Sequence, residues 1–149
     1  MSLFELGTDG PTSILVGLDG SITSARAASY AAGLARRQRA KVTAVYVVRP
    51  AMGLAVAGSA ALEVARREAH AEIADDMRRE TEEFFREWGV PITFTAIWGD
   101  PFTELCRIAE EIRADAVVVG ASVRAAHRLV GSLAVRLVKA GRWPVTVVP

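Results

Sequence analysis

Two stretches far apart in the chain carry residues suited to holding a charged or polar ligand. The first, Asp115 to Lys139, reads D-A-V-V-V-G-A-S-V-R-A-A-H-R-L-V-G-S-L-A-V-R-L-V-K. Its apolar run from Ala116 to Val119 stops at Gly120, and Gly131-Ser132 opens a helical pattern carried by Leu133, Ala134, Leu137 and Val138. A strand, a glycine turn, a basic loop and a Gly-Ser helix start leave backbone N–H groups pointing into one concavity, which suits an anion. From Ala116 to Pro149 there is no Asp or Glu, while Arg124, Arg128, Arg136, Lys139 and Arg142 are present. Arg124 and Arg128, between the two glycines, are candidates for phosphate contact; Arg136, Lys139 and Arg142 read as a solvated helix face. The second stretch, S-I-L-V-G-L from Ser13 to Leu18, is a buried strand that ends in the turn Asp19-Gly20-Ser21.

Other chemistries lack their residues. There is no G-x-x-x-x-G-K-[ST] phosphate loop, no G-x-G-x-x-G after the first strand, and Asp19 stands where a G-x-S-x-G elbow would need serine. His70 and His127 have no partner at ligand spacing; the first reads as a surface or packing residue of a helix, the second as a polar loop residue. The single cysteine, Cys106, falls on an apolar helical stripe and reads as a small core residue. A phosphoacceptor receiver would need an acidic pair after the first strand, an aspartate after the third and a lysine after the fifth, whereas Asp19 stands alone after the first strand, Asp100 follows the third and no lysine follows the fifth. Catalysis is therefore not expected, and no metal is implied.

At 149 residues the chain suits one domain, read as a flexible lead-in over 1–12 followed by a single unit over 13–149. A net charge of +1 calls for neither nucleic acid nor an anionic membrane as partner. The acidic excess is local: Glu63 to Glu87 holds nine acidic residues against five arginines. A lone cysteine and the lack of a signal-like opening point to a cytoplasmic protein. The longest uncharged run, Pro50 to Leu62, is too short and too glycine-broken to span a bilayer.

The positioning elements follow from periodicity. Strands are expected at Ser13–Leu18, Lys41–Val48, Pro91–Trp98 (near a sheet edge), Ala116–Val119 and Pro144–Val148. A first helix begins at the Ser21, Thr23, Ser24 caps and ends near Arg36, Arg37 and Arg39, where positive charge suits the dipole. A long helix spans Ala60 to Trp88 with a stripe of Leu62, Ala65, Ala69, Ile73, Met77 and Phe84; Arg49 to Ser59 before it is a loop. A third starts at Asp100-Pro101, with Phe102, Leu105, Cys106, Ala109 and Ile112 inward. Strands alternating with helices imply an α/β, mostly parallel, doubly wound sheet, with ligands beyond the carboxyl ends where strand order reverses. With order 3-2-1-4-5, Asp19 and Gly120 face each other there.

The ordered set I-L-V-G-L-D-G-S, V-Y-V-V, G-D-P, D-A-V-V-V-G, G-S and P-V-T-V-V resembles the universal stress protein family, over essentially Ser13 to Pro149. The resemblance implies a five-stranded Rossmann-like sheet with about four helices. It implies ATP or a related adenine nucleotide as ligand, and a homodimer formed through the last strand. Carried over, it assigns Asp19 and Val47 to the base, and Gly120, Gly131 and Ser132 to the phosphates and ribose. Gly17 and Leu18 before the aspartate, with Arg124 and Leu133 around the Gly-Ser pair, complete the candidate set. The family's G-x-x-G-x(9)-G-[ST] pattern is altered here: Val123 replaces the second glycine and seven residues separate it from Gly131. A β-branched residue at a positive φ costs about 1–3 kcal/mol, which is about a 10- to 100-fold loss of affinity. The alternative is a dimeric stress-response interaction module that binds no nucleotide.

Overall fold

The computed structural model describes residues 10–50, 60–122 and 133–149. Five parallel strands, β1 (Ser13–Leu18), β2 (Lys41–Val48), β3 (Ile92–Trp98), β4 (Ala116–Gly120) and β5 (Val145–Val148), alternate with α1 (Ile22–Gln38), α2 (Ala60–Glu87), α3 (Pro101–Glu111) and α4 (Leu133–Ala140). The sheet order is β3-β2-β1-β4-β5, as expected. β1 is buried on both faces, and its runs of apolar residues pair with β2 from Ser13↔Lys41 to Leu18↔Tyr46 and with β4 from Ile14↔Ala116 to Val16↔Val118. The chain leaves β1 toward β2 and later returns to the other side of β1 with β4, so the order reverses between β1 and β4.

Alternation along the strands divides the interior. Ile14, Val16, Leu18, Val42, Ala44, Phe94 and Val118 face α1 and α2, meeting Ala27, Ala31, Ala35 and Phe85. Leu15, Val45, Val117 and Val119 face α3 and α4, meeting Leu105, Ile108, Ala109 and Leu137. Small alanines let α1 lie close on the sheet. Its N-cap is Ser21, whose hydroxyl accepts from the Ser24 amide at 3.1 Å. At the other end Arg39 closes the helix in the left-handed conformation, and Arg36 and Arg37 occupy the last turn. The Arg36 guanidinium also lies over the Trp88 ring. Asp100 caps α3 by accepting from the Thr103 amide at 3.0 Å, with Pro101 at the start of the helix.

Two buried stripes differ from expectation. In α2 the buried residues are Ala74, Thr81 and Phe85, whereas Leu62 and Ile73 are half exposed. The first turns of this helix are largely exposed, and of the neighbours Phe84 and Phe85 it is Phe85 that is fully buried in the core while Phe84 packs at its margin. In α4 Leu137 is fully buried but Val138 is exposed, so the apolar stripe is narrower than the sequence pattern suggested.

Of the lead-in expected over 1–12, residues 1–9 lie outside the described residues, while Thr12 is held firmly. Its amide and hydroxyl donate to the Asp115 carboxylate at 2.9 and 3.0 Å, the Ser13 amide donates to the same oxygen, and its carbonyl accepts from Lys41. The loop expected from Arg49 to Ser59 lies outside the described residues from position 51 onward.

Candidate functional site

The turn after β1 is tightly built. Gly20 adopts φ 81°, a conformation that side chains disfavour, and this lets the chain reverse directly into α1. Asp19 Oδ1 accepts from the Ser21 amide at 2.9 Å, and the Asp19 amide donates to Ser24 Oγ. Burial pushes the Asp19 carboxyl up, but the hydrogen bonds from Ser21 and Ser24 outweigh it and hold the group below its ordinary value. Asp19 is thus an ionised acceptor at neutral pH, fixed in place by its own turn.

The exit of β4 meets this turn directly. Thr23 Oγ1 donates to the Ala121 carbonyl at 2.7 Å. A β-carbon on Gly120 would come within 2.5 Å of the Thr23 carbonyl carbon and 2.6 Å of the Ser24 amide nitrogen. Glycine here has a packing reason: β4 ends against the backbone of the first turn of α1. The two turns singled out in the sequence are therefore joined at the strand-order reversal.

The other candidates divide between the two faces. Val47 and Leu133 pack against the cluster on the α3/α4 side, and a β-carbon on Gly17 would touch Leu105 and Val119 of that same cluster. Leu18 points the other way, buried beneath α1 and α2, and can offer the crevice only its backbone. Arg124, Gly131 and Ser132, with the altered Val123, lie outside the described residues.

The solvated-face reading of the basic residues needs refinement. Arg136 lies over the Phe102 ring at 4.2 Å and reaches the Asp100 carboxylate at 3.5 Å, while Arg142 pairs with Glu110 at 2.6 Å. His70 packs edge-on against Trp98 with ring centroids 5.1 Å apart. Burial pushes the Cys106 thiol up, which keeps it protonated and suits a core residue rather than a nucleophile. Among the described residues no group of three or more His, Cys, Asp or Glu side chains could hold a metal, and no helix is long and apolar enough to cross a membrane.

A parallel doubly wound sheet whose first and fourth strands part at a reversal, with a fixed carboxylate beside a glycine-ended strand, defines a small doubly wound α/β protein. Its relatives are consistent with that class. The model of the universal stress protein family matches residues 11–149, and the chain belongs to that family. A universal stress protein of Methanocaldococcus jannaschii is 32% identical, the match covering 99% of this chain and 87% of the relative. Solved structures agree in fold. A universal stress protein of Lactobacillus plantarum is 28% identical with a TM-score of 0.78, covering 93% of this chain and 97% of the other. One from Burkholderia pseudomallei is 30% identical with a TM-score of 0.70, covering 93% and 96%. Three more distant members of the fold hold adenine nucleotides. A universal stress protein in complex with cAMP is 24% identical (TM-score 0.71, covering 94% and 98%). The others are an Arabidopsis thaliana family member with AMP bound (19%, 0.69, covering 93% and 91%) and an Archaeoglobus fulgidus universal stress protein in complex with dAMP (18%, 0.61, covering 93% and 98%).

Proposed function

We propose that the chain binds ATP or a related adenine nucleotide in the crevice between β1 and β4 and acts in the cytoplasm through conformation or dimerisation rather than catalysis. The observation that carries this reading is the Asp19 turn, ionised, preorganised and docked against the end of β4 through Thr23 and Ala121. In this reading the adenine ring lies against Val47, with Gly17 beside it, and the Asp19 carboxylate accepts from the exocyclic amine. A fixed negative charge at that end repels phosphates, so the polyphosphate extends toward the segment from Gly120 to Leu133, where Arg124, Gly131 and Ser132 supply cations and donors. The bound cAMP, AMP and dAMP of the structural neighbours support adenine as the recognised base.

Binding to the native state must raise stability by mass action. ATP at about a hundred times its dissociation constant adds about 2.7 kcal/mol, which for a chain of this size is a rise of about 5–11 °C in Tm. Thermal unfolding with ATP, AMP and cAMP tests this, and an unchanged Tm with all of them at millimolar concentration would refute the reading. A second reading, a nucleotide-free dimeric interaction module, is favoured by one observation: β5 is an edge strand in the chain, with Val147 exposed and Val145 and Val148 half covered.

A further inference from the structure

On the face of the sheet opposite Val47, the first half of α1 and the second half of α2 leave a groove of about 430 Å³ between them. That volume lies within the range of small-molecule sites. Its floor is apolar: Leu18 and Phe85 are buried, and Ala28, Met77 and Phe84 are partly covered. The α1 wall presents Ser21 and Ser29, and the α2 wall presents Asp76 and Glu80, one turn apart on one helix face.

Of the nearby cations only Arg79 engages this wall. Arg79 pairs with Asp76, Arg78 lies over the Phe94 ring at 5.3 Å, and Arg26 donates to the Pro149 carbonyl at 3.2 Å. Glu80 makes no ion pair with a described residue. The groove therefore joins an apolar floor to a wall in which Asp76 is neutralised by Arg79 and Glu80 carries the uncompensated negative charge. A flat apolar partner seated here would bury the Glu80 carboxylate unpaired, which is costly. A ligand bringing its own positive charge meets no such penalty.

We propose that this groove binds a small amphipathic cation: an aromatic or branched aliphatic body with a primary ammonium group. The body lies on Leu18, Met77 and Phe84, and the ammonium sits by Glu80. The site shares no side-chain contact with Val47 or Leu133 and stands whether or not the crevice takes nucleotide. Ser21 and Ser24 belong both to the groove and to the hydrogen bonds around Asp19, so the backbone amides of this turn report occupancy.

The test is an NMR titration of the isotope-labelled full chain with phenethylammonium, and with phenethyl alcohol and hydrocinnamate as neutral and anionic matches of the same body. Saturable shifts at Gly20, Ser21, Ala28 and Thr81 are expected with the ammonium. The alcohol should bind more weakly by about twofold to fivefold, the worth of an exposed ion pair, and hydrocinnamate more weakly again. Glu80→Gln, an exposed position whose change leaves the fold intact, should bring the ammonium to the level of the alcohol. Ala28→Leu, which fills the floor, should abolish binding of all three. Absence of saturable shifts at the groove residues, equal binding of ammonium and hydrocinnamate, or indifference to Glu80→Gln would each overturn the proposal.

Discussion

Asp19 is the residue on which the functional reading turns, because its charge, orientation and place at the reversal are all fixed by neighbours within the same turn. Asp19→Ala removes a charged acceptor, a loss of about 1.5–3 kcal/mol of binding, or about a 10- to 100-fold rise in the dissociation constant for ATP by calorimetry. Gly120 was singled out in the sequence for phosphates; the structure adds a steric reason for glycine there. Gly120→Ala should destabilise the fold by about 1–3 kcal/mol through forced contact with the backbone of α1, read as a lower urea midpoint with an unchanged slope. No loss of stability in that variant would mean that the two turns are not packed as described. Asp115 gives a pH signature. Burial pushes its carboxyl up, but the Thr12 amide and hydroxyl and the Ser13 amide outweigh that and leave it below the ordinary value of 3.8. A carboxyl lowered in the folded state contributes stability that is complete above its unfolded value and is lost as pH falls through the folded one. Asp115→Asn should therefore cost about 1 kcal/mol at neutral pH, allowing for solvent screening at this exposed position. The gap between variant and parent should close in acid unfolding curves below that range, and a gap that stays constant with pH would contradict the assignment.

Among the elements, those with strong local signals were legible. β1 and β2 have the expected limits because each is a continuous apolar run bounded by turn residues. The cap of α3 was readable from Asp100, and that of α1 was narrowed to Ser21, Thr23 or Ser24, of which the structure uses Ser21. The inward face of α2 was not, since periodicity cannot say how much of a long helix has a sheet beneath it, and so Leu62 and Ile73 were assigned to a core they do not reach. Nor could the sequence show that Leu18 faces away from the crevice, which depends on the phase of β1 within the sheet. The α1–α2 groove escaped notice entirely: Glu80 and Asp76 counted only toward the local acidic excess from Glu63 to Glu87, and nothing local marks them as the wall of a cavity. At this scale Asp100→Ala should cost about 1 kcal/mol through the lost cap of α3, with Arg136 also losing its carboxylate partner. Loss of amide-exchange protection confined to the first turn of α3 is the expected pattern, and unaltered protection there would argue against a capping role.

For the whole molecule, the sheet order β3-β2-β1-β4-β5 leaves β5 as an edge with an exposed valine, and the proposed dimer covers that edge. Val147→Lys, which puts charge on the edge, should shift the chain toward monomer in light scattering while leaving the proposed nucleotide site between β1 and β4 intact. A parent protein that is monomeric at micromolar concentration would exclude that assembly. Dimerisation alone, however, fits both functional readings, whereas occupancy of the crevice separates them. The most direct measurement is calorimetric titration of the purified chain with ATP. The account predicts one saturable site per chain, abolished or strongly weakened by Asp19→Ala. Absence of binding heat across several temperatures and up to millimolar ATP, in a folded and dimeric sample, would contradict it and leave the nucleotide-free module.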